Sequence, residues 1–241
     1  MMLAAGALIV GISKTALPGA VTVAVALFAT ALPARESTAA LLVLLLVGDL
    51  FAVWMYRRTV DWAVLRKLIW PVLIGVAVGA VFLGVTSDQV VRRVIGVILL
   101  VLLCLTLWRR RRSSPSSISG GASGPGRASG YSYGWLGGFT TMVANAGGPV
   151  MSMYLLAMRL PVATFLGTAA YFFFAVNLAK IPFQIGLGLL TWEVFLASAT
   201  LMPLVVVSAF LGRWVAVRIP QALFERIVLI LTAAGAVHLL L

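Results

Sequence analysis

The sequence predicts an all-α polytopic membrane protein of two inverted repeats, each a broken or re-entrant helix pair followed by three transmembrane helices. Three observations carry this prediction. First, 62% of the 241 residues are hydrophobic and 10% are charged, whereas a soluble domain carries about 25% charged residues. Such a chain cannot dress a water-facing surface, and lipid is the solvent in which its apolar surface needs no cover. Second, eight apolar runs follow one another, each long enough to cross a bilayer at roughly 20 residues per span. Third, the two halves of the chain match each other.

The runs cover residues 1–32, 37–56, 62–86, 90–108, 133–160, 163–190, 192–217 and 223–241. Between the fourth and fifth lies 113–130, rich in Ser, Gly and Pro. That composition forms no packed core and reads as a flexible linker. It separates a first repeat, 1–112, from a second, 131–241. Pro18 matches Pro149, Pro33 matches Pro161, and Thr38-Ala39-Ala40 matches Thr168-Ala169-Ala170. Asp61-Trp62 matches Thr191-Trp192, Pro71 matches Pro203, and Gln89 matches Gln221. The matched residues lie 128 to 132 positions apart and keep their order. Each match is weak alone; together they indicate an internal repeat, a frequent plan in transporters.

The first run lacks a basic start and a cleavage site and is read as part of the mature chain. It is interrupted by Gly11, Ser13, Lys14, Thr15, Pro18 and Gly19, and the fifth run by Asn145-Ala146-Gly147-Gly148-Pro149. Proline removes a backbone donor and glycine loosens a helix, so both stretches are expected to be non-helical. The flanks are short. A ten-residue helix rises about 15 Å, half the hydrocarbon thickness. Each broken run is therefore a discontinuous span or a re-entrant hairpin with its tip near mid-membrane.

The net charge of +12 sits between apolar runs and is read as a topology signal rather than as a nucleic-acid surface. If runs one and five return to their starting side and the other six cross, 13 Lys and Arg residues share the side of Arg109–Arg112 and 3 lie opposite. If all eight runs cross once, the split is 9 against 7. Two short crossings in each broken run give the same signs as hairpins; of the two counts above, only the hairpin arrangement gives a strong positive-inside bias. It makes the linker cytoplasmic, inverts the halves and places both termini outside the cytoplasm.

Lys14 and Lys180 are the two basic residues inside apolar runs. An intramembrane charge costs several kcal/mol and is a functional candidate by default. Lys14 lies in the first break between the hydroxyls of Ser13 and Thr15. The half-helix that follows offers free N–H groups, which attract anions. In the second half, Asn145 leads into Gly147 and Gly148, where missing side chains let a ligand approach the backbone. In an inverted repeat the two half-helix starts converge on one midplane anion site. The alternative is that Lys14 snorkels and the glycines only permit close packing. Asn177 and Lys180 share one face of run six, with snorkelling of Lys180 as the alternative. Asp49 matches Asn177 and is a candidate for a coupling proton or cation; the alternative is a carboxyl held by hydrogen bonds. By their depths a direct Asp49–Lys180 pair is not expected.

His238 reads as a wetted near-terminal residue, and Trp54, Trp62, Trp70, Trp108 and Trp192 as an aromatic belt. The single cysteine, Cys104, allows no intrachain disulfide and no Cys-based metal cluster. There is no phosphate-loop signature, no HExxH and no paired intramembrane carboxylate, so no enzyme, metal site or cofactor is expected.

The broken first run of each half, the stretch Gly137–Thr141, Asn145-Ala146-Gly147-Gly148-Pro149 and Gly167-Thr168-Ala169 resemble the TauE/SafE sulfite exporter family. So do the eight runs and the duplication, over nearly the whole chain. The second half fits better. Members usually carry glycines in the first break, where this chain has Ser13-Lys14-Thr15. The resemblance implies a bacterial inner-membrane carrier of sulfite, sulfonates or related small organic anions. The residues themselves point to a secondary transporter of a small anion in a lipid bilayer, with an anion channel or a non-transporting membrane scaffold as alternatives. No nucleotide-binding motif is encoded, and the oligomeric state is left open.

Overall fold

The computed structural model describes residues 1–16, 20–112, 127–158 and 160–216, with the single positions 230 and 237. Pro18, Gly19, most of the stretch read as linker, His238 and nearly all of the eighth run lie outside the described residues. Within them are ten helices and no strand: α1 (Met2–Ala16), α2 (Val21–Ala31), α3 (Ala34–Tyr56), α4 (Trp62–Val85), α5 (Asp88–Arg112), α6 (Arg127–Ala144), α7 (Gly147–Ala157), α8 (Val162–Gly186), α9 (Trp192–Ala199) and α10 (Met202–Ala216). Helix is what apolar runs must adopt in lipid, because it satisfies the backbone polar groups within the segment. α6 begins at Arg127, so its first residues fall inside the stretch read as linker.

α3, α4 and α8 are each long and apolar enough to cross a membrane. α9 and α10, bent by 46° at their junction, are together long and apolar enough for a broken span or a re-entrant loop. The run 192–217, expected as one crossing, is thus divided. Pro203, in the first turn of α10, has no N–H to donate to Ala199, and the Thr200 hydroxyl bonds instead to the Ala197 carbonyl at 2.7 Å.

Both broken runs fold back as helical hairpins, but the stretches expected to be non-helical are largely helix: Gly11, Ser13, Lys14 and Thr15 belong to α1, and Gly147, Gly148 and Pro149 open α7, where proline in a first turn has no helical N–H bond to lose. A Cβ placed on Gly6 would fall 2.6 Å from Phe28 Cε2 and 3.8 Å from Leu27 Cβ, so the start of α1 lies against the end of α2. In the second half, the rings of Tyr133 and Tyr154 are 5.9 Å apart, while Gly147 abuts Thr141. These nested pairs make α6 and α7 antiparallel. α2 and α7 have 11 residues each, or roughly 16 Å of rise, about half the hydrocarbon thickness.

The matched residues occupy matched places. Pro33 precedes α3 and Pro161 precedes α8 as N-cap residues. The Asp61 carboxylate caps α4 by accepting from the N–H groups of Ala63 and Val64, and the Thr191 hydroxyl caps α9 by accepting from Val194. Packing exchanges partners between the halves: the broadest contacts are α4 on α6 and α1 on α10, with α3 against α8. Small residues permit the close approaches. On α4, a Cβ at Gly75 would strike the Trp135 carbonyl, and one at Gly79 would lie 2.8 Å from Met142 Cβ. On α6, a Cβ at Gly138 would strike the Val72 carbonyl. At the α1–α10 crossing, Gly11 meets the Val205 carbonyl and Gly212 lies under Ile12.

The outside is apolar and the inside is partly polar. Trp70, Ile74, Val81 and Val85 of α4 are exposed, as are Trp54, Trp62 and Trp192. Asp49, Asn145, Asn177, Lys180 and Gln184 are buried. This is the distribution lipid selects: apolar side chains need no cover there, and polar groups collect where they find partners.

Candidate functional site

Lys14 and the buried Asp49, Asn145, Asn177 and Lys180 form one connected cluster where the two hairpin tips meet α3 and α8. Lys14 stands in the last turn of α1. Its Nζ lies 2.5 Å from Asp49 Oδ1 of α3 and 4.8 Å from the ring centroid of Phe173. The close approach depends on Gly48, because a Cβ there would fall 2.8 Å from Lys14 Cγ. The other carboxylate oxygen, Asp49 Oδ2, accepts from Asn177 Nδ2 at 2.6 Å. Asn177 Oδ1 in turn accepts from Lys180 Nζ at 3.3 Å. Lys180 also donates to Asn145 Oδ1 at 2.5 Å, and Asn145 Nδ2 donates to the Thr38 carbonyl at 3.0 Å. Each amide thus gives its N–H to an acceptor and its oxygen to the Lys180 ammonium, which fixes the orientation of both.

Asn145 has φ of 51°, the left-handed region that asparagine tolerates better than most residues. Its N–H closes α6 by donating to the Thr141 carbonyl at 3.0 Å. The chain then turns at once into α7. At the other tip, the Tyr56 hydroxyl donates to the Thr15 carbonyl at 3.3 Å, serving one of the carbonyls that a helix end leaves free. A small cavity opens between the tips. Ser13, Lys14, Asn145 and Gly148 line it from the hairpins, and Asp49 and Asn177 from the long helices. Val21, the first residue of α2, lines it too. No side chain caps α2 at Ala20, and the Val23 N–H turns back to the Ala20 carbonyl at 3.1 Å.

A family model described as "Sulfite exporter TauE/SafE" matches residues 3–239, almost the entire chain. The chain belongs to the TauE/SafE sulfite exporter family. Neither the curated proteins nor the solved structures contain a match. Family membership and the apolar helices make it a multi-pass membrane protein and a transporter rather than an enzyme.

In this TauE/SafE chain the residues singled out from the sequence fall into two groups. Lys14, Ser13, Asn145, Gly148, Asn177 and Asp49 line the cavity, and Lys180 lies directly behind it on Asn145 and Asn177. Lys180 is fully buried, so it does not snorkel. Thr15 and Gly147 serve the helices instead. The Thr15 hydroxyl bonds back to the Gly11 carbonyl at 3.1 Å, and a Cβ on Gly147 would lie 2.9 Å from Thr141 Cβ.

Sequence reasoning missed Gly48, Phe173, Thr38 and Gln184. Gln184 Nε2 donates to Thr38 Oγ1 at 3.3 Å, tying α8 to α3 below Asn145. A signal existed for part of this set. The matched Thr-Ala-Ala triplets are those of Thr38 and of Thr168, and Ala169 and Ala170 line the cavity. Thr168 Oγ1 accepts from the Asp61 N–H at 2.9 Å, bracing the turn between α3 and α4.

Proposed function

We propose that this chain is a secondary transporter that binds a small anion (sulfite, a sulfonate or a related organic anion) at the junction of its two hairpin tips. The observation that carries the reading is that one buried carboxylate, Asp49, holds Lys14 directly and is joined to the buried Lys180 through Asn177, beside a cavity. An anion there meets the Lys14 ammonium, the Ser13 hydroxyl, the Asn145 and Asn177 amides and backbone N–H groups near Val21 and Gly148. Charge-assisted hydrogen bonds of this kind suit a sulfo group with several acceptor oxygens. Thr15 and Gly147 hold the tips in shape behind it. Asp49 already occupies Lys14, so the anion competes with an internal carboxylate. Binding is then modest and cargo is released. The same exchange makes Asp49 the candidate site for a coupling proton or cation.

The two halves are inverted repeats in this reading, with the tips near mid-membrane. The exchange of partners between halves supports it. So does the course of α3 and α8: Thr38 meets Gln184 and Asp49 meets Asn177, so these corresponding helices run in opposite directions. The basic bias of 13 to 3 supports a cytoplasmic linker with both termini outside, and the family supports a bacterial inner membrane as the location.

Flux measured in proteoliposomes with and without a proton or sodium gradient tests the function. The expected result is saturable uptake of sulfite or a sulfonate that accelerates with the gradient. Flux that follows only the anion's own gradient without saturating is the behaviour of a channel. Absence of flux in correctly inserted protein is the behaviour of a scaffold. Either result overturns the transporter reading.

A further inference from the structure

We infer that the site is matched to a singly charged anion, and that Asp49 is the residue that sets this preference. The inference rests on the proposed anion site and adds the charge class of its substrate. At each hairpin tip one helix ends and another begins. Ser13 and Lys14 lie in the last turn of α1 and Val21 opens α2; Thr141 lies in the last turn of α6 and Gly148 in the first turn of α7, and all five line the cavity. A helix carries about half a positive charge at its start and half a negative charge at its end. Two starts and two ends meeting at one cavity offset each other. Formal side-chain charge is left to decide.

That charge is one positive unit. Lys14 and Lys180 supply two ammoniums and Asp49 supplies one carboxylate. Among the described residues Asp49 is the one buried acidic group. Among the described residues the partners of Lys180 are amide oxygens, Asn145 Oδ1 and Asn177 Oδ1; these orient an ammonium and leave its charge unbalanced. An uncompensated charge away from water is unfavourable, and an anion of charge minus one removes it. A second negative charge reverses the imbalance. It also stands beside the Asp49 carboxylate, because a ligand on Lys14 is within a few ångströms of the group already holding that ammonium. Like charges brought together in a desolvated site cost several kcal/mol, and each factor of ten in affinity corresponds to about 1.4 kcal/mol.

Methanesulfonate and sulfate separate charge from size. Both are tetrahedral sulfo groups of similar volume, and near neutral pH the first carries one negative charge and the second two. Sulfite is a poorer probe because both of its charge forms are present there. The experiment is saturable uptake of labelled methanesulfonate into proteoliposomes clamped at zero membrane potential, with unlabelled methanesulfonate or sulfate as competitor. In the native protein sulfate should compete about tenfold more weakly, or worse. Asp49→Asn raises the site's charge to two positive units while preserving side-chain size, and should swing the ratio toward sulfate by a similar factor. Equal competition by the two anions in the native protein overturns the inference while leaving the anion site standing. An unchanged ratio in Asp49→Asn overturns the role of Asp49. If Asp49→Asn does not insert, the native preference alone decides the charge match, and Asp49→Glu, which keeps the charge, should keep the preference for methanesulfonate; a swing toward sulfate there contradicts the role of Asp49. If neither anion is recognised, the sulfo-anion reading falls and the charge match falls with it.

Discussion

Asn145 does three things at once. It closes α6 in the left-handed region, holds the Thr38 carbonyl and accepts from Lys180. Asn145→Gly keeps the backbone freedom and removes only the amide. It should lower unfolding stability by about 1–3 kcal/mol, the range for a buried partner left unsatisfied. Chemical denaturation in detergent measures this, and an unchanged midpoint shows that the amide contributes nothing. Gly48 offers a second reading at this scale. The nearest atom to an added Cβ is Lys14 Cγ, 2.8 Å away, and it belongs to a flexible stem. Gly48→Ala should therefore push Lys14 off Asp49 and, with that competition relieved, strengthen anion affinity several-fold. The fold should hold, because alanine is favoured over glycine within a helix by about 0.5–1 kcal/mol. A binding titration and a thermal melt on the same preparation separate the two effects; unchanged affinity would show that the Lys14 stem needs no space there.

Lys14, Asn145 and Asp49 were legible in the sequence because a charge or an amide stood where an apolar run was broken or matched. Lys180, like Lys14, was legible as a choice between function and snorkelling. Its distance along α8 tells depth, and the tip of α6–α7 that buries it arrives from far away in sequence. Phe173 and Gly48 left no mark, because an aromatic ring and a glycine are ordinary members of any apolar helix. Gly147 shows the opposite failure. Its missing side chain suggested an open backbone, and packing against Thr141 used the space.

At the scale of elements, the hairpins and their cluster depend on glycine-lined crossings. A Cβ on Gly138 would strike the Val72 carbonyl of α4, whereas one on Gly186, at the end of α8, would meet nothing within 4 Å. Gly138→Ala should destabilise by roughly 1–3 kcal/mol, as overpacking does, and Gly186→Ala should be neutral or slightly stabilising. Melting temperatures of the two variants check this, and equal melting would refute the close α4–α6 crossing. The same crossing shows why element boundaries were only partly readable. Pro71 and Pro203 match in sequence, yet α4 continues through Pro71 while the chain bends just before Pro203. Proline removes one backbone bond in both places. Whether the helix then breaks depends on neighbours: Pro71 packs on Gly134 of α6, and no local pattern records that.

For the whole molecule, the expectation of a repeat rests on matched prolines, caps and triplets that keep their order. Its consequence, that each half packs its first helix on the other's fourth element, needed three dimensions. The inverted arrangement predicts that cysteines at Ser117 and Met2, in a Cys104→Ala background, label from opposite faces of the membrane; labelling from one face contradicts it. The central claim is that the anion sits on Lys14 at the hairpin junction, and equilibrium binding of sulfite to purified Lys14→Met tests it most directly. Methionine keeps the length and apolar bulk of lysine and removes its charge. Arg58→Met, at an exposed position between α3 and α4, is the control. The account predicts that Lys14→Met loses about tenfold or more in affinity while Arg58→Met binds like the parent. Correctly inserted Lys14→Met that binds sulfite with parental affinity would contradict it.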